Sequence, residues 1–373
     1  MEIIGIIAIF AALLVLTGFI TLIIPVYRFR LVHKSAQNIE PKTGFSIVVA
    51  FRNEKNNLPA LYDSICGLDY PKHLIEWVLC DDHSNDDAKT WILHTQKTSP
   101  FPIIYCENTN ASGKKAALAL AAENATFDNL FFTDADCILP PNLLLTMEEK
   151  ISTEKLIFIA GPVSYIVNHS ILNFYQCAES ALLMALTADA FRRNKPLMAN
   201  GANLCVNKSF FTEAQAARAD MQIPGGDDIF LLEYAMQKNP DACHFLGTTG
   251  NTVQTLPEKT WADLLNQRTR WAAKVKFQQD ATGSLWQFFS LIFSLFYLSS
   301  ICLIPWIGYT TAGIFVFGKI IADIFILQKI LPYFSYPLNL LFIPAYSFTQ
   351  ILIILLTGLR ARFAGYTWKD RKY

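Results

Sequence analysis

Three long stretches of the sequence contain no charged side chain, and they constrain the fold more than any other feature. Residues 3–27, 281–318 and 330–359 contain no Asp, Glu, Lys or Arg, in a chain of 373 residues of which 17% are charged. A helix needs about 20 apolar residues to cross the hydrocarbon core of a bilayer. The pattern therefore predicts membrane segments towards both ends of the chain and a water-soluble region between them.

The first stretch predicts an N-terminal transmembrane anchor over residues 1–27. A cleaved signal peptide is the alternative, but the stretch has no basic leading region, its apolar run is long, and no A-x-A cleavage site follows it. Arg28, Arg30, His33 and Lys34 follow it directly. Because positive residues flank the cytoplasmic side of membrane helices, we expect the N-terminus outside and the chain from residue 28 onward in the cytoplasm.

The C-terminal stretches predict membrane segments within residues 283–360, with candidate spans at 284–306 and 338–359. The segment between these spans carries Lys319 and Asp323. These residues are four apart and could neutralise each other inside a helix bundle, or the segment could lie at the interface. The tail that follows is basic, which indicates a cytoplasmic C-terminus and an even number of crossings. We therefore expect two crossings, with the middle segment interfacial or re-entrant.

Between the membrane segments, short β-rich runs alternate with helical stretches. Strands are predicted at 45–51, 75–82, 101–107 and 129–136, and helices at 56–66, 86–97 and 112–123. Nearly continuous apolar strands separated by helices are typical of a parallel sheet that is covered on both faces. The predicted fold class is therefore α/β with a mostly parallel central sheet, flanked by transmembrane helices. In such sheets ligands bind beyond the carboxyl ends of the strands.

Several classes of protein and site fit the sequence poorly. A dinucleotide-binding fold needs G-x-G-x-x-G after its first strand, but the turn Phe51–Asn56 has no glycine, and there is no Walker A sequence. The net charge of zero gives no electrostatic support for a nucleic-acid partner. The eight cysteines include no C-x-x-C pair. A structural zinc site is therefore not expected, and the cysteines suit a reducing compartment.

Acidic side chains stand at the carboxyl ends of two predicted strands. Asp81 and Asp82 close the second strand, and Asp134 and Asp136 close the fourth. An acidic strand end is often only a turn or a helix N-cap. A D-x-D at the end of a buried strand can instead hold a hard divalent cation next to a substrate diphosphate. Two such pairs favour the functional interpretation.

Two further motifs carry charged residues at predicted helix starts. Asp227 and Asp228 follow two glycines and precede an apolar helical run. They can act as an N-cap, as a general base, or as both, because a cap position fixes the carboxylate. Lys114 opens another helix and is either a solvated cation or a contact to phosphate.

The segment Gln267–Trp271 reads QRTRW and lies on a predicted amphipathic helix just before the C-terminal membrane segments. Arginine and tryptophan can anchor a helix at a membrane interface. Alternatively, the arginine neutralises a leaving diphosphate and the tryptophan stacks on an acceptor sugar.

Taken in order, these motifs resemble glycosyltransferase family 2, with a GT-A fold. The resemblance is carried by the strand and turn from Phe45 to Glu54, Asp81-Asp82, Gly113-Lys114, Asp134-x-Asp136, Gly226-Asp227-Asp228 and Gln267-x-x-Arg270-Trp271. More narrowly, the chain resembles the membrane-bound branch that includes cellulose, chitin and hyaluronan synthases and ceramide glucosyltransferases. The resemblance covers residues 43–280 and the flanking membrane segments.

The resemblance implies a role for each matching position. Glu54, Asp81 and Asp82 would contact the nucleoside, Lys114 the diphosphate, Asp134 the ribose and donor sugar, and Asp136, together with Asp134, the Mg²⁺ or Mn²⁺ cofactor. Asp228 would be the catalytic base, with Asp227 beside it where relatives often carry Glu. Gln267, Arg270 and Trp271 would line the diphosphate and acceptor side, and Asn203, within Asn200–Asn203 (NGAN), would belong to an acceptor-site loop.

The resemblance also implies the organisation and activity of the whole chain. A cytoplasmic GT-A catalytic domain would cover residues 43–255, an interfacial amphipathic helix 256–282, and a basic cytoplasmic tail 361–373. The expected enzyme is an inverting, metal-dependent glycosyltransferase of the hexosyltransferase type. It would move a sugar from a nucleotide-sugar to a lipid, lipid-linked or glycan acceptor at the cytoplasmic membrane face.

We expect an integral protein of a bacterial inner membrane that makes a glycolipid or a cell-envelope polysaccharide. UDP is the commoner donor nucleotide among similar proteins, but GDP and dTDP stay open. A processive polysaccharide synthase is the first alternative, although few C-terminal segments are available for a secretion channel. A non-catalytic membrane scaffold or transporter is the second, supported only by Lys319 and Asp323. The lipid bilayer is an expected partner, and nucleic acid is not.

Overall fold

The computed structural model describes residues 20–30, 40–109, 113–196, 198–217, 227–247, 249–275, 281–302, 309–363, 367–368 and 371–372. Most of the anchor predicted over residues 1–27 lies outside these ranges, and its described part, 20–27, is helical. By its contacts the chain divides into two units. We call Arg30–Ile166 with Ala190–Leu256 the sheet unit, and Met1–Phe29, Val167–Asp189 and Pro257–Tyr373 the helical unit.

The sheet unit is built around a seven-stranded sheet of order β3-β2-β1-β4-β8-β6-β9 and a three-stranded sheet of order β5-β10-β7. The strands are β1 (Phe45–Phe51), β2 (Ile75–Asp81), β3 (Ile103–Glu107), β4 (Asn129–Phe132), β5 (Cys137–Ile138), β6 (Phe158–Ala160), β7 (Val163–Tyr165), β8 (Leu204–Asn207), β9 (Cys243–Phe245) and β10 (Val253–Thr255). Strands β3, β2, β1 and β4 are parallel, whereas β8 runs antiparallel to β4 and β6. The prediction of a mostly parallel α/β sheet is confirmed.

The central strands are buried because helices cover the sheet on both faces. Every residue of β2 is buried, and β1 has a single half-buried position. This explains why both strands read as continuous apolar runs and do not alternate between polar and apolar residues. In the register of this pair Phe51 lies opposite Asp81, so the turns that follow β1 and β2 meet at one edge of the sheet.

The helices of the described residues are α1 (Leu58–Cys66), α2 (Ala88–Thr95), α3 (Lys114–Asn124), α4 (Leu143–Thr153), α5 (Ile171–Arg192), α6 (Lys208–Ala217), α7 (Asp227–Lys238), α8 (Trp261–Val275), α9 (Ala281–Cys302), α10 (Tyr309–Ile330) and α11 (Ile343–Phe363). The first three correspond to the helices predicted from the sequence, but each begins two residues later. At α2 the reason is visible. The Asp86 carboxylate accepts hydrogen bonds from the backbone N–H groups of Lys55 (2.9 Å) and Ala88 (3.3 Å), which keeps Asp86 in the turn.

The predicted fourth strand, 129–136, was wrong at its end, because β4 stops at Phe132. Beyond it the Thr133 hydroxyl donates to the Ala202 carbonyl at 2.9 Å. The chain then joins the smaller sheet, where Cys137 pairs with Thr255. The D-x-D sequence therefore lies in the connection between the two sheets, where its side chains are not fixed by strand pairing.

The helical unit contains α8 to α11 and most of α5. The sequence predicted one continuous catalytic domain over 43–255, but residues Val167–Asp189 group with the C-terminal helices. Aromatic contacts account for this grouping. The Tyr175 ring lies 5.7 Å from the Trp261 ring and 5.6 Å from the Tyr346 ring, between centroids.

One helix of the described part of the chain, Ile343–Phe363, has the length and apolar composition needed to cross a membrane, and Gly283–Ser299 is a shorter apolar helix. The segment predicted to be interfacial or re-entrant contains the continuous 22-residue helix α10. The number of membrane crossings stays a prediction.

Candidate active site

The turns after β1 and β2 are bonded to each other. The Asn53 backbone has a φ of 56°, in the left-handed region that asparagine tolerates. Its N–H donates to the Ser84 hydroxyl at 2.9 Å, and its side-chain oxygen accepts from the Asn85 N–H at 2.8 Å. Glu54 follows in this turn and accepts a hydrogen bond from the Asn57 side chain at 2.6 Å. The turn thus places the Glu54 carboxylate near the end of β2.

Asp81 and Asp82 are both buried at the end of β2. Asp81 accepts hydrogen bonds from the Ser84 N–H at 2.7 Å and from the Tyr105 hydroxyl at 3.3 Å. Burial raises the pKa of Tyr105 well above its usual value, as do the nearby Glu107 and Asp81 carboxylates. A neutral tyrosine is suited to donating to these carboxylates.

Asp82 organises the turn that leads into α3. Its Oδ1 atom accepts from the Gly113 N–H at 2.8 Å and from the Asn108 side chain at 3.1 Å. Gly113 has a φ of +108°, which a residue with a side chain rarely adopts. The structure thus shows a local role for Asp82, and its predicted contact to the nucleoside stays a prediction.

Lys114, the first residue of α3, is paired with the D-x-D sequence. Its Nζ atom lies 2.5 Å from Asp134 Oδ1, and both side chains are partly exposed. An ammonium group beside a carboxylate at the edge of the sheet can neutralise phosphate charge if the pair opens toward a ligand. The structure therefore brings two of the predicted site residues into direct contact.

Asp136 lies in an environment that disfavours its charged form. Burial first, and then the negative charges of Asp134 and Glu54, raise its pKa to about 6. The Thr255 hydroxyl donates to it at 3.1 Å. Negative charges that disfavour ionisation of Asp136 mark a position where a bound cation would be favourable.

The described residues contain no cluster of three or more His, Cys, Asp and Glu side chains with metal-binding geometry. The donor set nevertheless fits a hard divalent cation, because Mg²⁺ is usually held by only one or two carboxylates plus substrate phosphate oxygens. Asp134 and Asp136 are the residues that would hold it.

Asp228 lies in the first turn of α7 and faces the loop that contains the NGAN sequence. Its Oδ2 atom accepts from the Gly201 N–H at 3.1 Å, and its Oδ1 atom from the Ile229 N–H at 2.9 Å. The next residue of that loop, Ala202, is held by Thr133, which directly precedes Asp134. A chain of hydrogen bonds therefore links the predicted base to the D-x-D segment. Residues 218–226 lie outside the described ranges, as does the side chain of Asp227.

A second contact holds the helix that carries Asp228. Lys115 Nζ lies 5.2 Å from the centroid of the Phe230 ring, a cation–π distance. Lys115 is buried. The two lysines at the start of α3 thus have different surroundings: Lys114 faces the D-x-D segment and Lys115 faces α7.

Asn203 is fully buried and braces the loop. Its side-chain nitrogen donates to the carbonyls of Pro162 (2.9 Å) and Asn251 (2.8 Å). Sequence reasoning expected this residue in an acceptor-site loop, and the structure gives it internal contacts. Its predicted role toward an acceptor stays a prediction.

Gln267, Arg270 and Trp271 lie on α8, in the helical unit, and are half-buried. Gln267 donates to Glu258 at 2.7 Å. Burial raises the pKa of Glu258, as does the nearby Asp263 charge, whereas Arg268 and Arg270 oppose the rise. These residues belong to the helical unit, and their predicted contacts to a diphosphate or an acceptor stay predictions.

Within the sheet unit, the structure brings Lys114 into contact with Asp134, joins Asp82 to Gly113 beside Lys114, and places the charges of Asp134 and Glu54 near Asp136. Asp81 and Asp228 belong to the same unit. Sequence reasoning missed two residues that support this set, Thr133 and Thr255. Only Thr133 carried a usable signal, since a polar residue ending a buried apolar strand next to D-x-D needs a partner.

Two family profiles match the chain. Residues 46–208 match glycosyl transferase family 2, and residues 130–359 match glycosyl transferase family group 2. A Sulfolobus acidocaldarius protein described as "Probable glycosyltransferase" is 31% identical over 111 residues, which is 29% of this chain. The match spans 24% of that relative's length.

Solved structures share the fold. A mannosyltransferase from Pyrobaculum calidifontis, in complex with GDP-Man and Mn²⁺, superposes with a TM-score of 0.55 at 14% identity, covering 95% of this chain and 99% of that one. S. aureus TarS residues 1–349, in complex with UDP-GlcNAc, gives a TM-score of 0.44 at 12% identity, with 88% and 96% covered. The α/β fold is thus GT-A-like. With a family match over residues 130–359, this chain belongs to glycosyl transferase family group 2.

Proposed function

We propose that this protein is a membrane-anchored, metal-dependent inverting glycosyltransferase of the membrane-bound branch. It transfers a sugar from a nucleotide-sugar to a lipid or lipid-linked acceptor at the cytoplasmic membrane face. The observation that carries the proposal is the carboxylate set at one sheet edge. The negative charges of Asp134 and Glu54 act on Asp136, and Lys114 lies beside Asp134.

This arrangement suits a nucleoside diphosphate better than a neutral ligand. A divalent cation bound by Asp134 and Asp136 would supply Lewis-acid stabilisation of the departing diphosphate. Lys114 supplies a positive charge at the same place, once its ammonium group turns from Asp134 to a phosphate oxygen. The donor nucleotide is open between UDP and GDP, and both belong in the test.

Asp228 has the properties of a general base. The N–H groups of Gly201 and Ile229 hold its carboxylate in one orientation, and its side chain is half-buried. It would accept a proton from an acceptor hydroxyl as that oxygen attacks the anomeric carbon. The C–O bond to the diphosphate breaks on the opposite face, so a single displacement inverts the anomeric configuration.

Exposed apolar side chains on the C-terminal helices support the membrane part of the proposal. Large exposed apolar residues lie on all three helices: Leu285, Phe288, Phe289 and Leu295 on α9, Phe317, Ile321 and Phe325 on α10, and Phe348, Leu356, Leu359 and Phe363 on α11. So much exposed apolar surface is unusual in water and is typical of lipid-facing helices. A bilayer would place a lipid acceptor within reach of the chain.

Release of nucleoside diphosphate tests the proposal. Purified full-length protein in detergent would receive UDP- and GDP-linked sugars in turn, with Mn²⁺ or Mg²⁺ and a bacterial membrane lipid extract. We expect release from one donor, and loss of that release when EDTA removes the metal. Release that EDTA leaves unchanged would overturn the metal assignment. Failure to bind any donor would overturn the transferase assignment for this chain.

A further inference from the structure

Arg268 is a buried cation on α8, the helix that carries the QRTRW sequence. Its guanidinium group binds Glu179 on α5, with Nε and Nη2 lying 2.7 Å and 2.5 Å from Glu179 Oε2. The Arg268 side chain is only 6% exposed, and that of Glu179 is 16% exposed. Both residues belong to the helical unit, and neither was singled out by the sequence pattern.

The same guanidinium group contacts two residues of the motif. Its carbon atom Cζ lies 4.2 Å from the centre of the Trp271 ring, and its Nη1 donates to the Gln267 side-chain oxygen. Gln267 in turn donates from its nitrogen to Glu258. Arg268 therefore fixes the plane of the Trp271 ring and the amide orientation of Gln267 at the same time.

Glu179 is itself fixed by neighbours. The Tyr175 hydroxyl donates to Glu179 Oε1 at 3.1 Å, so each carboxylate oxygen has its own partner. Tyr175 is fully buried between the rings of Trp261 and Tyr346. The orientation of the Arg268 guanidinium group is thus set by three helices: α5, α8 and α11.

A buried ion pair contributes little net stability, because desolvation of both charges offsets their attraction. Its better-attested effect is on geometry, since a planar guanidinium group whose two N–H groups donate to one carboxylate oxygen has few orientations open to it. Arg268 also contacts Gln267 and Trp271, which lie before and after it on α8. The orientation of its guanidinium group therefore affects both motif residues.

We propose that Glu179 and Arg268 are positioning residues that hold Gln267 and Trp271 in the conformation required for sugar transfer. The inference rests on the proposed function of the motif. The motif assigns Arg270, not Arg268, to the diphosphate. In this proposal Arg270 contacts the substrate, and Arg268 orients Gln267 and Trp271.

A spectroscopic test does not depend on activity. Full-length protein labelled with 5-fluorotryptophan would give one ¹⁹F line per tryptophan in detergent, and the Trp271 line is assigned by its loss in Trp271→Phe. We expect Glu179→Gln to shift or broaden the Trp271 line and to leave lines distant from it unchanged. The matched control is Glu213→Gln, which breaks an exposed pair with Lys238. An unchanged Trp271 line in Glu179→Gln would overturn the inference.

A kinetic test then asks whether the position matters. With the donor identified above and the lipid extract titrated as acceptor source, we expect Glu179→Gln and Arg268→Met to lower kcat/KM for the acceptor about ten-fold. Donor affinity should stay as in the unaltered protein, and the double variant should be no worse than either single one. Wild-type kcat/KM in Glu179→Gln, despite a shifted Trp271 line, would also overturn the inference.

The two proposals fail in different ways. If the unaltered protein releases no diphosphate and binds no donor, the proposed function is overturned, and the Trp271 line alone decides whether Glu179 positions the motif. If Glu179→Gln unfolds, shown by collapse of all tryptophan lines, Arg268→Lys replaces it. Lysine keeps the charge but loses the planar fork. We expect Arg268→Lys to fold, to shift the Trp271 line, and to have an acceptor kcat/KM between those of Arg268→Met and the unaltered protein. An acceptor kcat/KM equal to that of the unaltered protein would contradict the positioning role.

Discussion

At the scale of single residues, Asp136 combines burial with unfavourable charge. The charges of Asp134 and Glu54 act on it, and its hydroxyl partner Thr255 is a neutral donor. The ionised form of such a carboxyl group is unfavourable without a nearby cation and becomes favourable when a cation binds to it. The proposed divalent cation would offset this cost at Asp136.

We expect Asp136→Asn to weaken metal-dependent donor binding by at least about 100-fold, because losing a residue that contacts the metal should cost at least as much as losing an outer neighbour. Isothermal titration of the donor with and without Mn²⁺ measures it. Asp63→Asn, an exposed change on α1, is the matched control. Equal donor affinity in Asp136→Asn and Asp63→Asn would show that Asp136 does not hold the metal.

At the scale of elements, one buried carboxylate joins three segments. Glu148 on α4 is buried and accepts hydrogen bonds from the Tyr70 hydroxyl at 2.5 Å and from the Thr43 N–H at 2.9 Å. Burial raises the pKa of Tyr70 well above its usual value, as does the Glu148 charge. Glu148 thus joins α4 by hydrogen bonds to the segment that precedes β1 and to the loop that leads to β2.

Replacing this carboxylate should destabilise the sheet unit. Glu148→Ala leaves the Thr43 N–H without its acceptor and leaves the Tyr70 hydroxyl with only the Thr43 carbonyl, at a cost of about 2 kcal/mol in the free energy of unfolding. Thermal unfolding followed by circular dichroism measures the change, with the exposed Glu123→Ala as control. A melting temperature equal to that of the control would show that Glu148 does not brace these elements.

The loop that orients Asp228 depends on a glycine in another connection. A Cβ atom added at Gly161 would lie 2.3 Å from the Asn203 side-chain nitrogen, whereas one added at Gly250 would meet nothing within 4 Å. Gly161→Ala should therefore displace Asn203 from the Pro162 and Asn251 carbonyls, at a cost of about 2 kcal/mol in stability.

We expect Gly161→Ala to lower kcat while donor affinity changes little, because the disturbed loop contacts Asp228 and not the D-x-D carboxylates. Gly250→Ala adds the same methyl group in open space and should leave kcat unchanged. If both variants have the kcat of the unaltered protein, Asn203 does not brace the loop that orients Asp228. The prediction that Asn203 contacts the acceptor directly would then be favoured.

At the scale of the whole molecule, the predicted chemistry is divided between two units. The carboxylate set, Lys114 and Asp228 belong to the sheet unit, and the QRTRW sequence belongs to the helical unit with α9, α10 and α11. The helical unit also has a polar centre. Lys319 lies 2.6 Å from Asp323 and 2.8 Å from Gln350 on α11. The pairing expected between Lys319 and Asp323 is therefore present within α10.

We expect the full chain to stay in the membrane pellet after alkaline carbonate extraction. Leu356→Arg, which places a charge near the middle of α11, should lower the pelleted fraction, because an arginine there costs about 3 kcal/mol. Leu93→Arg alters a partly exposed leucine on α2 and is the control. Complete release of the unaltered protein into the carbonate supernatant would contradict a transmembrane anchor.

The sequence predicted the parallel core of the sheet well and the remainder poorly. Strands β1, β2 and β3 and their following helices were predictable because long apolar runs and turn residues coincide there. The short strands β6, β8, β9 and β10 have three or four residues each, too few for a period to emerge. The grouping of α5 with the C-terminal helices depends on aromatic contacts between distant residues, which no local pattern contains.

For the site, the motifs located the charged residues but not their supports. Asp134, Asp136, Lys114 and Asp228 were predictable because carboxylates and lysines at strand ends and helix starts are conspicuous. Thr133 carried a signal only through its place beside D-x-D, and Thr255 and Glu179 carried none, since each acts through one tertiary hydrogen bond or ion pair. Asn203 was conspicuous in the sequence but is buried in the structure.

The most direct test of sugar transfer by this site is the rate of nucleoside diphosphate release by Asp228→Asn. Asparagine keeps the shape of the side chain but cannot accept the acceptor's proton. With saturating donor, Mn²⁺ and lipid extract, we predict release at least about 100-fold slower than in the unaltered protein, with donor affinity preserved. The exposed Asp128→Asn should behave as the unaltered protein does. Release by Asp228→Asn at the unaltered rate would contradict the assignment of the base and, with it, the proposed mechanism.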